Sequence, residues 1–310
     1  MDLSVVIVNW NVRSLLQVCL RSVRASLVSS PLSWELCVVD NASGDGSPEM
    51  VRESFSRVRL IANAENLGYA GASNQGLESS TGRYCLILNP DTEVHGAALE
   101  TMVTFLEATP RAGMVGPRLI FSEGGFQHSA FAFPGVLQVL FDLFPVPGPI
   151  LESRLNGRYP RSRYASGRPF LVGHPLGACM MVRRTALDRV GGMDTGYFMY
   201  CEELDWAKRF HRGGWQVYCV PSAEVVHHAG QSTKQVRPEM YVQLWRSRLR
   251  FYRKHYGAAH NALIPLLLRA GLHYQEGQAL QEARCGRLSA AELAERQQMY
   301  RGVRELIRQS

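Results

Sequence analysis

Four apolar segments in the first third of the chain each end in polar residues. They are LSVVIVNWN (3–11), WELCVVDNASGDGS (34–47), VRLIANAENLG (58–68) and GRYCLILNPDTEV (82–94). A stretch with helical spacing of apolar residues follows each segment. Strands that are apolar on both faces and alternate with helices of about 10 to 15 residues are typical of βαβ units. The pattern therefore predicts an α/β fold with a mostly parallel central sheet flanked by helices.

The pattern becomes less regular in the middle of the chain. Residues 121–170 are rich in Pro, Phe, Gly and Arg, and they predict a long, partly irregular insertion that orders with a partner. The pattern predicts a first domain over residues 1–235, with two halves of about 1–116 and 117–235. Residues 236–310 are predicted to form a helical C-terminal extension.

Regular patterns return in the last third. Residues 175–193 predict a strand and then a helix, and residues 195–215 predict a loop that runs into a helix. Residues 216–232 predict a pair of strands that ends in two histidines. From Met240 to the end the pattern is helical, basic and amphipathic.

Composition and charge narrow the class of protein. The 310 residues are 46% hydrophobic and 20% charged, which is typical of a globular chain with a sizeable core. The net charge is +7, and arginines concentrate in residues 154–168 and 246–254. Such patches attract nucleic acid, anionic lipid or nucleotide-linked substrates, or they only solubilise a surface. Aromatic residues rarely alternate with the basic ones outside the tail, and no nucleic-acid motif is present, so we predict no nucleic-acid partner.

Cysteine use and hydropathy indicate the compartment. The seven cysteines include no CxxC pair, and Cys37 and Cys85 lie in apolar runs, which favours reduced, buried thiols over disulfides or a zinc site. No basic segment precedes the first strand, so a signal peptide is not expected. No window reaches the roughly 18 to 20 apolar residues of a spanning helix. We expect a cytoplasmic protein that works in the cytosol or at the inner face of the membrane.

Three polar residues follow predicted strands. Asn9, Asp40 and Asp91 lie at strand ends, and ligands of open α/β sheets bind at the carboxyl ends of the strands. One such residue could simply cap a turn, but three at one edge indicate a ligand crevice. One carboxylate could accept hydrogen bonds from a base or ribose, while another binds a divalent metal that bridges a diphosphate.

A small-residue segment and an acidic helix start are further candidates. Residues 65–76 carry three glycines that allow close backbone approach, although they match neither GxGxxG nor a P-loop, and close helix–sheet packing explains them equally well. Glu202 and Glu203 begin a predicted helix, where acids favour the helix dipole. The glycine-rich, aromatic loop before them can seat an acceptor hydroxyl beside a general base. Asp205 and Arg209 are spaced for an intrahelical ion pair.

Adjacent histidines complete the set of candidates. Two neighbouring residues of a strand point to opposite faces, so at most one of His227 and His228 faces a site. A neutral imidazole could serve as a metal ligand beside Asp91.

The motifs together resemble family 2 glycosyltransferases with the GT-A (Rossmann-like) fold, in particular bacterial rhamnosyltransferase-like members, over about residues 3–256. They occur in the expected order: SVVIVNWN, VVDNASGDGS, NLGYAGASNQG, LILNPDTE, GACMMVRR, GGMDTGYFMYCEELDWAKRFHRGGW and PSAEVVHHAGQS. The resemblance implies inverting transfer of a sugar from a nucleotide-diphosphate donor to an acceptor hydroxyl, with Mg²⁺ or Mn²⁺ as cofactor.

The resemblance implies that residues 1–235 are the GT-A catalytic domain, with a nucleotide-binding half of about 1–116 and an acceptor-side half of about 117–235. It also implies roles for individual residues. Glu203 would be the catalytic base, and Asp91 and His227 would bind the metal, with His228 as the less favoured ligand. The nucleotide and donor site would comprise Asn9, Asp40, Asn41, Asn66, Gly68, Asn74 and Asn89. The acceptor side would comprise Asp194, Tyr197, Phe198 and Glu202.

Three departures from the family pattern stand out. The DxD-like motif is Asn89-Pro90-Asp91, so it offers one carboxylate to a metal. The base is Glu203 where relatives usually have Asp, which extends the carboxylate by one methylene, and catalytic groups must be placed to about 0.5 Å. Residues 172–175 read VGHP where relatives often carry an acid and an aromatic residue, so acceptor choice is expected to differ.

These inferences lead to one functional prediction and one alternative. The prediction is an inverting glycosyltransferase of polysaccharide biosynthesis that uses dTDP-rhamnose or a UDP-sugar. Its acceptor would be a surface glycan of bacterial type or a lipid-linked saccharide, with peripheral membrane contact through the basic C-terminal helix. That helix could equally pack on the core with solvated arginines. The alternative function is a non-catalytic nucleotide-sugar-binding relative, suggested by Asn89 and Glu203.

Overall fold

The computed structural model describes residues 1–229 and 237–309. These residues form two compact units. The first comprises residues 1–132, 159–198 and 202–229. The second comprises residues 133–158, 199–201 and 237–309.

The strands all belong to the first unit. In chain order they are β1 (Leu3–Asn9), β2 (Trp34–Asp40), β3 (Arg59–Ala62), β4 (Tyr84–Leu88), β5 (Thr92–Val94), β6 (Ala112–Ile120), β7 (Phe126–Gln127), β8 (Ala130–Phe131), β9 (Phe170–Leu171), β10 (His174–Pro175), β11 (Cys179–Arg183) and β12 (Gln216–His227). The main sheet has the order β3-β2-β1-β4-β11-β6-β12-β5, with β7 beside β6 and β9 beside β12. Strands β8 and β10 form a separate antiparallel pair.

The strand directions bring the polar strand ends together. Strands β3, β2, β1 and β4 are parallel, and β1 pairs with β2 so that Asn9 lies opposite Asp40. Strand β11 enters antiparallel between β4 and β6. Strand β5 runs antiparallel to β12, which places Thr92 opposite His227. The predicted mostly parallel sheet is confirmed, and the carboxyl ends of its parallel strands share one edge.

The helices are α1 (Arg13–Val28), α2 (Ser47–Ser54), α3 (Gly68–Glu78), α4 (Ala98–Ala108), α5 (Val136–Leu143), α6 (Gly148–Leu151), α7 (Arg161–Ala165), α8 (Arg184–Val190), α9 (Glu202–Arg212), α10 (Arg237–His255), α11 (Ala258–Arg284) and α12 (Ala290–Arg308). Alternate residues of β1 serve the two faces of the sheet. Val5 and Ile7 join the core that includes α1 and α4, whereas Val6 packs against Gly76 of α3. Helices therefore cover both faces, as the apolar strands require.

Two local predictions differ from the structure. Residues 216–227 form one strand instead of a pair, because the irregularity between Val220 and Glu224 shifts the register against β6 without a turn. Residues 121–170 contain three short strands and several short helices within the two units. Six of the seven cysteines are buried, as predicted, whereas Cys285 is exposed.

The C-terminal helical prediction is confirmed for the described residues. Helices α10, α11 and α12 account for almost all of residues 237–309. No described helix has both the length and the apolar character to cross a membrane.

Candidate active site

Asp40 is held at the end of β2 by two neighbours. The Asn9 amide donates to Asp40 Oδ1 at 2.8 Å and to the Ser43 hydroxyl at 3.1 Å, and the Ser43 N–H donates to Asp40 Oδ2 at 2.9 Å. Asn9 and Asp40 are both buried. These bonds fix the carboxylate before any ligand arrives. Ser43 was not among the predicted site residues, although its place in the turn after β2 was a usable signal.

Asn41 organises the neighbouring loop. Its side-chain NH₂ group donates to Asn66 Oδ1 at 2.7 Å, and its side-chain oxygen Oδ1 accepts the Leu67 N–H at 3.0 Å. Asn66 Oδ1 also accepts the Gly68 N–H at 2.9 Å. Asn41 and Asn66, two residues predicted for the donor site, are thus hydrogen-bonded to each other. Together they hold the start of α3 against the end of β2.

Gly68 joins this loop to the aromatic loop before α9. Its φ is +75°, and a Cβ there would lie 2.5 Å from the Phe198 carbonyl oxygen. The next residue, Tyr69, donates its N–H to the same oxygen at 2.7 Å. Only glycine permits both the conformation and the approach. The small-residue motif therefore serves contact with residue 198, in addition to helix–sheet packing.

Asn74 makes a second connection between the same two segments. Its amide donates to the Met193 carbonyl at 2.8 Å and its oxygen accepts the Met193 N–H at 2.8 Å. This paired bond positions the loop that leads to the acceptor-side residues. A direct contact of Asn74 with the donor stays a prediction.

Gly68→Ala is expected to lower the unfolding temperature by at least about 5 °C. A left-handed Ala costs about 1–2 kcal/mol and the clash with Phe198 about 1–3 kcal/mol more. Gly71→Ala, in the same helix, is the control, because its Cβ would meet only the Leu67 Cβ at 3.2 Å. Thermal unfolding of both variants measures the difference. Equal midpoints would show that the contact with Phe198 does not constrain the loop.

Asp91 and His227 face each other at the edge where β5 meets β12. The His227 Nε2 lies 3.5 Å from Asp91 Oδ1, and both side chains are buried. His227 Nδ1 lies 3.2 Å from Gln127 Oε1. His228 turns to the opposite face, where its Nε2 lies 2.7 Å from Glu93 Oε1. The His228 N–H donates to the Asp91 backbone carbonyl at 2.9 Å, but it is the His227 ring that lies beside the Asp91 carboxylate.

The Asp91–His227 pair fits a divalent cation that is completed by a ligand. A carboxylate and an imidazole are both suitable donors for Mn²⁺, and oxygen donors suit Mg²⁺. Within residues 1–229 and 237–309 no third His, Cys, Asp or Glu joins them in a metal-binding group. A diphosphate and water would have to supply the remaining positions.

Asn89 precedes this pair at the end of β4. Its N–H donates to the Ala178 carbonyl at 2.9 Å. Its side-chain oxygen is buried, and no residue in the described ranges gives it a hydrogen bond. A buried acceptor of this kind usually awaits a ligand or water donor.

Glu202 and Glu203 begin α9 in different environments. Glu202 is 5% exposed, and burial followed by the charge of Glu203 raises its pKa well above the ordinary value. Glu203 is half-buried and lies against Gly177, where an added Cβ would be 3.6 Å from its Cγ. Two adjacent carboxyls whose surroundings separate their protonation states can divide acid and base roles.

Tyr69 is a buried tyrosine close enough to several acidic groups for their charges to act on it. Its hydroxyl donates to the Gly177 carbonyl at 3.1 Å. Burial raises its pKa well above the usual value, and the charges of Glu202, Glu203 and Asp91 raise it further, in that order. Three of the five predicted acids therefore act on one buried phenol. Tyr69 was quoted in the motif but not predicted as a site residue.

The remaining acceptor-side residues form a turn. Asp194 Oδ1 accepts the Gly196 N–H at 2.9 Å, and the Asp194 carbonyl accepts the Tyr197 N–H at 3.1 Å. Tyr197 is buried, whereas Phe198 is 40% exposed. Phe198 is thus the side chain of this turn that a ligand could contact directly.

Arg209 holds α9, the helix that carries Glu202 and Glu203, in place. It donates to Asp205 at 2.8 Å, which confirms the predicted ion pair, and it also donates to the Val190 carbonyl at 2.9 Å. The Trp206 indole donates to the Gly191 carbonyl at 2.9 Å. These bonds fix the helix that carries Glu202 and Glu203.

Backbone strain clusters around the same residues. In the described part of the chain the non-glycine residues with positive φ are Asn11, Ala42, Tyr200, Cys201 and Ala229. Each lies within two residues of a predicted site residue or of its strand end. Such conformations cost about 1–3 kcal/mol and concentrate at functional sites. The strain is an indicator of the site that is independent of residue chemistry.

Comparison with known sequences identifies the family. The profile described as "Glycosyl transferase family 2" matches residues 4–191. The chain belongs to glycosyl transferase family 2. It is a glycosyltransferase of the rhamnosyltransferase-like kind, as the motifs predicted.

Two curated relatives indicate the breadth of this similarity. An N-acetylglucosaminyl-diphospho-decaprenol L-rhamnosyltransferase of Mycobacterium tuberculosis is 32% identical over 209 residues, which is 63% of this chain and 67% of the relative. The low-salt glycan biosynthesis hexosyltransferase Agl10 of Haloferax volcanii is 26% identical over 252 residues, which is 79% of this chain and 72% of the relative.

Solved structures support the GT-A fold. A mannosyltransferase of Pyrobaculum calidifontis, in complex with GDP-Man and Mn²⁺, has a TM-score of 0.57 at 16% identity. The similarity covers 97% of this glycosyltransferase and 85% of that chain. GalNAc-T7 with UDP, GalNAc and Mn²⁺ has a TM-score of 0.57 at 17% identity, and the match covers 73% of this chain but only 43% of that one.

Proposed function

We propose that this glycosyltransferase transfers a sugar, with inversion, from a nucleotide-diphosphate donor to a hydroxyl of a glycan or lipid-linked saccharide. The observation that carries the proposal is the Asp91–His227 pair at the carboxyl edge of the sheet, together with Glu203 beside Gly177 at the start of α9. Asp91 with His227 would supply the diphosphate side, and Glu203 beside the buried Glu202 would supply the acceptor side.

The donor side of the proposal follows from the strand ends. Asp40 is held ready to accept hydrogen bonds from a nucleoside, and Asn89 offers a buried oxygen nearby in the same edge. Asp91 and His227 would hold Mg²⁺ or Mn²⁺, whose charge stabilises a departing diphosphate. We propose dTDP-rhamnose as the first donor to test, because the mycobacterial relative is named an L-rhamnosyltransferase. UDP-sugars are the next donors to test.

The acceptor side follows from the start of α9. Inversion requires one base that removes the acceptor proton while the hydroxyl attacks from the face opposite the leaving group. Glu203 is proposed as that base, and no covalent nucleophile is needed. A protonated Glu202 would donate a hydrogen bond and leave the negative charge to its neighbour.

A thermal-shift screen of dTDP, UDP, GDP and their sugars, with and without Mn²⁺, tests the donor. The correct nucleotide at about 100 times its Kd should add about 2.7 kcal/mol, or roughly 5–10 °C, and the shift should shrink without metal. A shift without any product when acceptors are supplied would favour the non-catalytic alternative. No shift with any nucleotide would contradict the proposed function.

We also propose that the second unit contacts an anionic membrane surface where a lipid-linked acceptor resides. Its described residues include fifteen Lys and Arg against eight Asp and Glu, whereas the first unit is nearly balanced. On α11, Leu263 and Leu266 are 40% and 58% exposed, and exposed Arg269 follows at helical spacing on the same face. Apolar residues beside cations suit the surface of an anionic bilayer.

Vesicle sedimentation tests this contact. The protein should bind phosphatidylglycerol vesicles at low salt and dissociate as NaCl rises, because exposed charges are screened. Leu266→Ser should reduce binding several-fold. Val28→Ser is the control, since Val28 is 77% exposed on the first unit. Equal loss in both variants, or equal binding to neutral vesicles, would contradict the contact.

A further inference from the structure

A cavity of about 270 Å³ lies within the second unit, where α5, α10, α11 and α12 converge. It is open to solvent, and the predicted site residues all lie in the first unit. Its lining combines aromatic, amide and charged side chains with the apolar side chains of Leu244 and Met299. Because the cavity is open to solvent, a ligand can reach its lining from outside.

Aromatic rings form one side of the cavity. Trp245 is 2% exposed and Tyr300 is 6% exposed, and the rings of Tyr241 and Tyr300 meet edge to face at 6.4 Å. The Arg248 guanidinium stacks over the Trp245 ring at 4.9 Å. Rigid aromatic faces with polar tips provide apolar contact to a ligand while retaining hydrogen-bonding groups.

Polar groups supply the other side. The Tyr241 hydroxyl donates to Gln275 Oε1 at 3.4 Å, and the Gln275 amide donates to the Asp142 carbonyl at 3.1 Å. Arg248 pairs with the Asp142 carboxylate at 2.6 Å. Arg296, on α12, also lines the cavity. Hydroxyl, amide, carboxylate and guanidinium groups therefore all line the cavity.

The charge balance selects the ligand class. Arg248 is already paired with Asp142, and Arg296 with Glu282 at 2.9 Å. A phosphate would have to compete with both carboxylates, and the one on Asp142 lines the cavity and would repel it. A neutral ligand with many hydroxyls avoids this repulsion. The volume lies below the roughly 300–1,000 Å³ of sites for drug-sized ligands, which suits one sugar ring.

We propose that this cavity is a saccharide-binding site that holds one pyranose residue of a glycan, separate from the catalytic crevice. The rings of Tyr241 and Tyr300 would cover the C–H face of the sugar, and Arg248, Arg296 and Gln275 would bind its hydroxyls. The identification of the ligand as part of a glycan rests on the proposed glycan acceptor. The site and its preference for a neutral ligand rest on the cavity alone. A site of this kind would retain a glycan chain next to the enzyme between transfers.

Saturation-transfer NMR on the full-length protein tests the site with methyl α-L-rhamnopyranoside and the methyl glycosides of N-acetylglucosamine, galactose and mannose. At least one should bind with a Kd of about 1–10 mM. Met299→Trp fills the cavity and should abolish the signal. Arg296→Gln should weaken binding about 5–10-fold, since it removes one charged donor. Arg301→Gln, an exposed position on the same helix, should leave it unchanged.

Two further measurements separate this site from the active site. Binding should persist in Asp91→Asn, which is placed to impair the catalytic crevice, so failure of the proposed donor chemistry would not remove it. Thermal unfolding checks that Met299→Trp and Arg296→Gln are folded. The proposal is overturned if no glycoside binds, if binding survives both cavity variants, or if inorganic pyrophosphate displaces the sugar through the same residues.

Discussion

Glu203→Gln is expected to reduce sugar transfer by about 10²–10⁴-fold at saturating substrates, the usual contribution of a general base. The substitution keeps the shape of the side chain and its contact with Gly177. It removes only the capacity to accept a proton. Donor affinity, measured by thermal shift with the nucleotide, should remain within about twofold because the charge lost is on the acceptor side.

The adjacent carboxyl provides the matched control. Burial and the charge of Glu203 raise the pKa of Glu202, which favours the protonated form of this carboxyl. Gln resembles a protonated Glu, and Glu202→Gln should therefore cost less than about tenfold. The opposite ranking of the two variants would assign the base to Glu202.

Glu203→Asp tests the placement of the carboxylate. The family usually has Asp here, but the shorter side chain would withdraw the oxygens by one methylene from their position beside Gly177. We expect an intermediate loss of about 10–10²-fold, since small errors in placement are costly. Activity equal to that of the wild type would show that the extra methylene has no catalytic purpose.

Asp91→Asn is expected to reduce transfer by at least about 10²-fold and to abolish the additional thermal stabilisation that Mn²⁺ gives with the nucleotide. A metal supplies several kcal/mol of charge stabilisation to a leaving diphosphate, and each 1.4 kcal/mol is about tenfold in rate. Asp91 is the carboxylate of its motif, because position 89 is Asn. Retained metal dependence in this variant would remove Asp91 from the proposed metal site.

The histidine pair gives an internal comparison for the same site. His227→Ala should raise the Mn²⁺ concentration for half-maximal activity about 10–100-fold, whereas His228→Ala should change it little. The reason is geometric: His227 lies 3.5 Å from Asp91, and His228 pairs with Glu93 at 2.7 Å on the other face. Metal titrations of both variants measure the difference. A larger effect in His228→Ala would reverse the assignment.

Local pattern was sufficient for much of the fold. Apolar runs with polar ends predicted β1, β2, β3 and β4. Strands β1 and β4 are buried along their whole length, and a strand covered on both faces must be apolar throughout. The pattern after Met240 likewise predicted helices. Spacing alone predicted the Asp205–Arg209 pair, since residues four apart on a helix are neighbours.

Prediction from local pattern failed where the structure of a segment depends on contacts with residues far away in the chain. Residues 216–227 contain Pro221 and appeared to be two strands, but pairing with β6 and β5 keeps them in one strand with a register shift. Residues 133–158 lack periodicity, and they belong to the same compact unit as the C-terminal helices. No local signal reports a partner more than a hundred residues away.

The sequence by itself determined the parallel sheet, the family and the set of candidate residues, because periodicity and motif order are properties of neighbouring positions. Tertiary structure decided which histidine faces Asp91, which carboxyl of the Glu202–Glu203 pair is buried, and that a polar cavity exists among the C-terminal helices. Those features depend on strand pairing, burial and electrostatic contacts between segments that are far apart in the chain. They exist only in the folded structure.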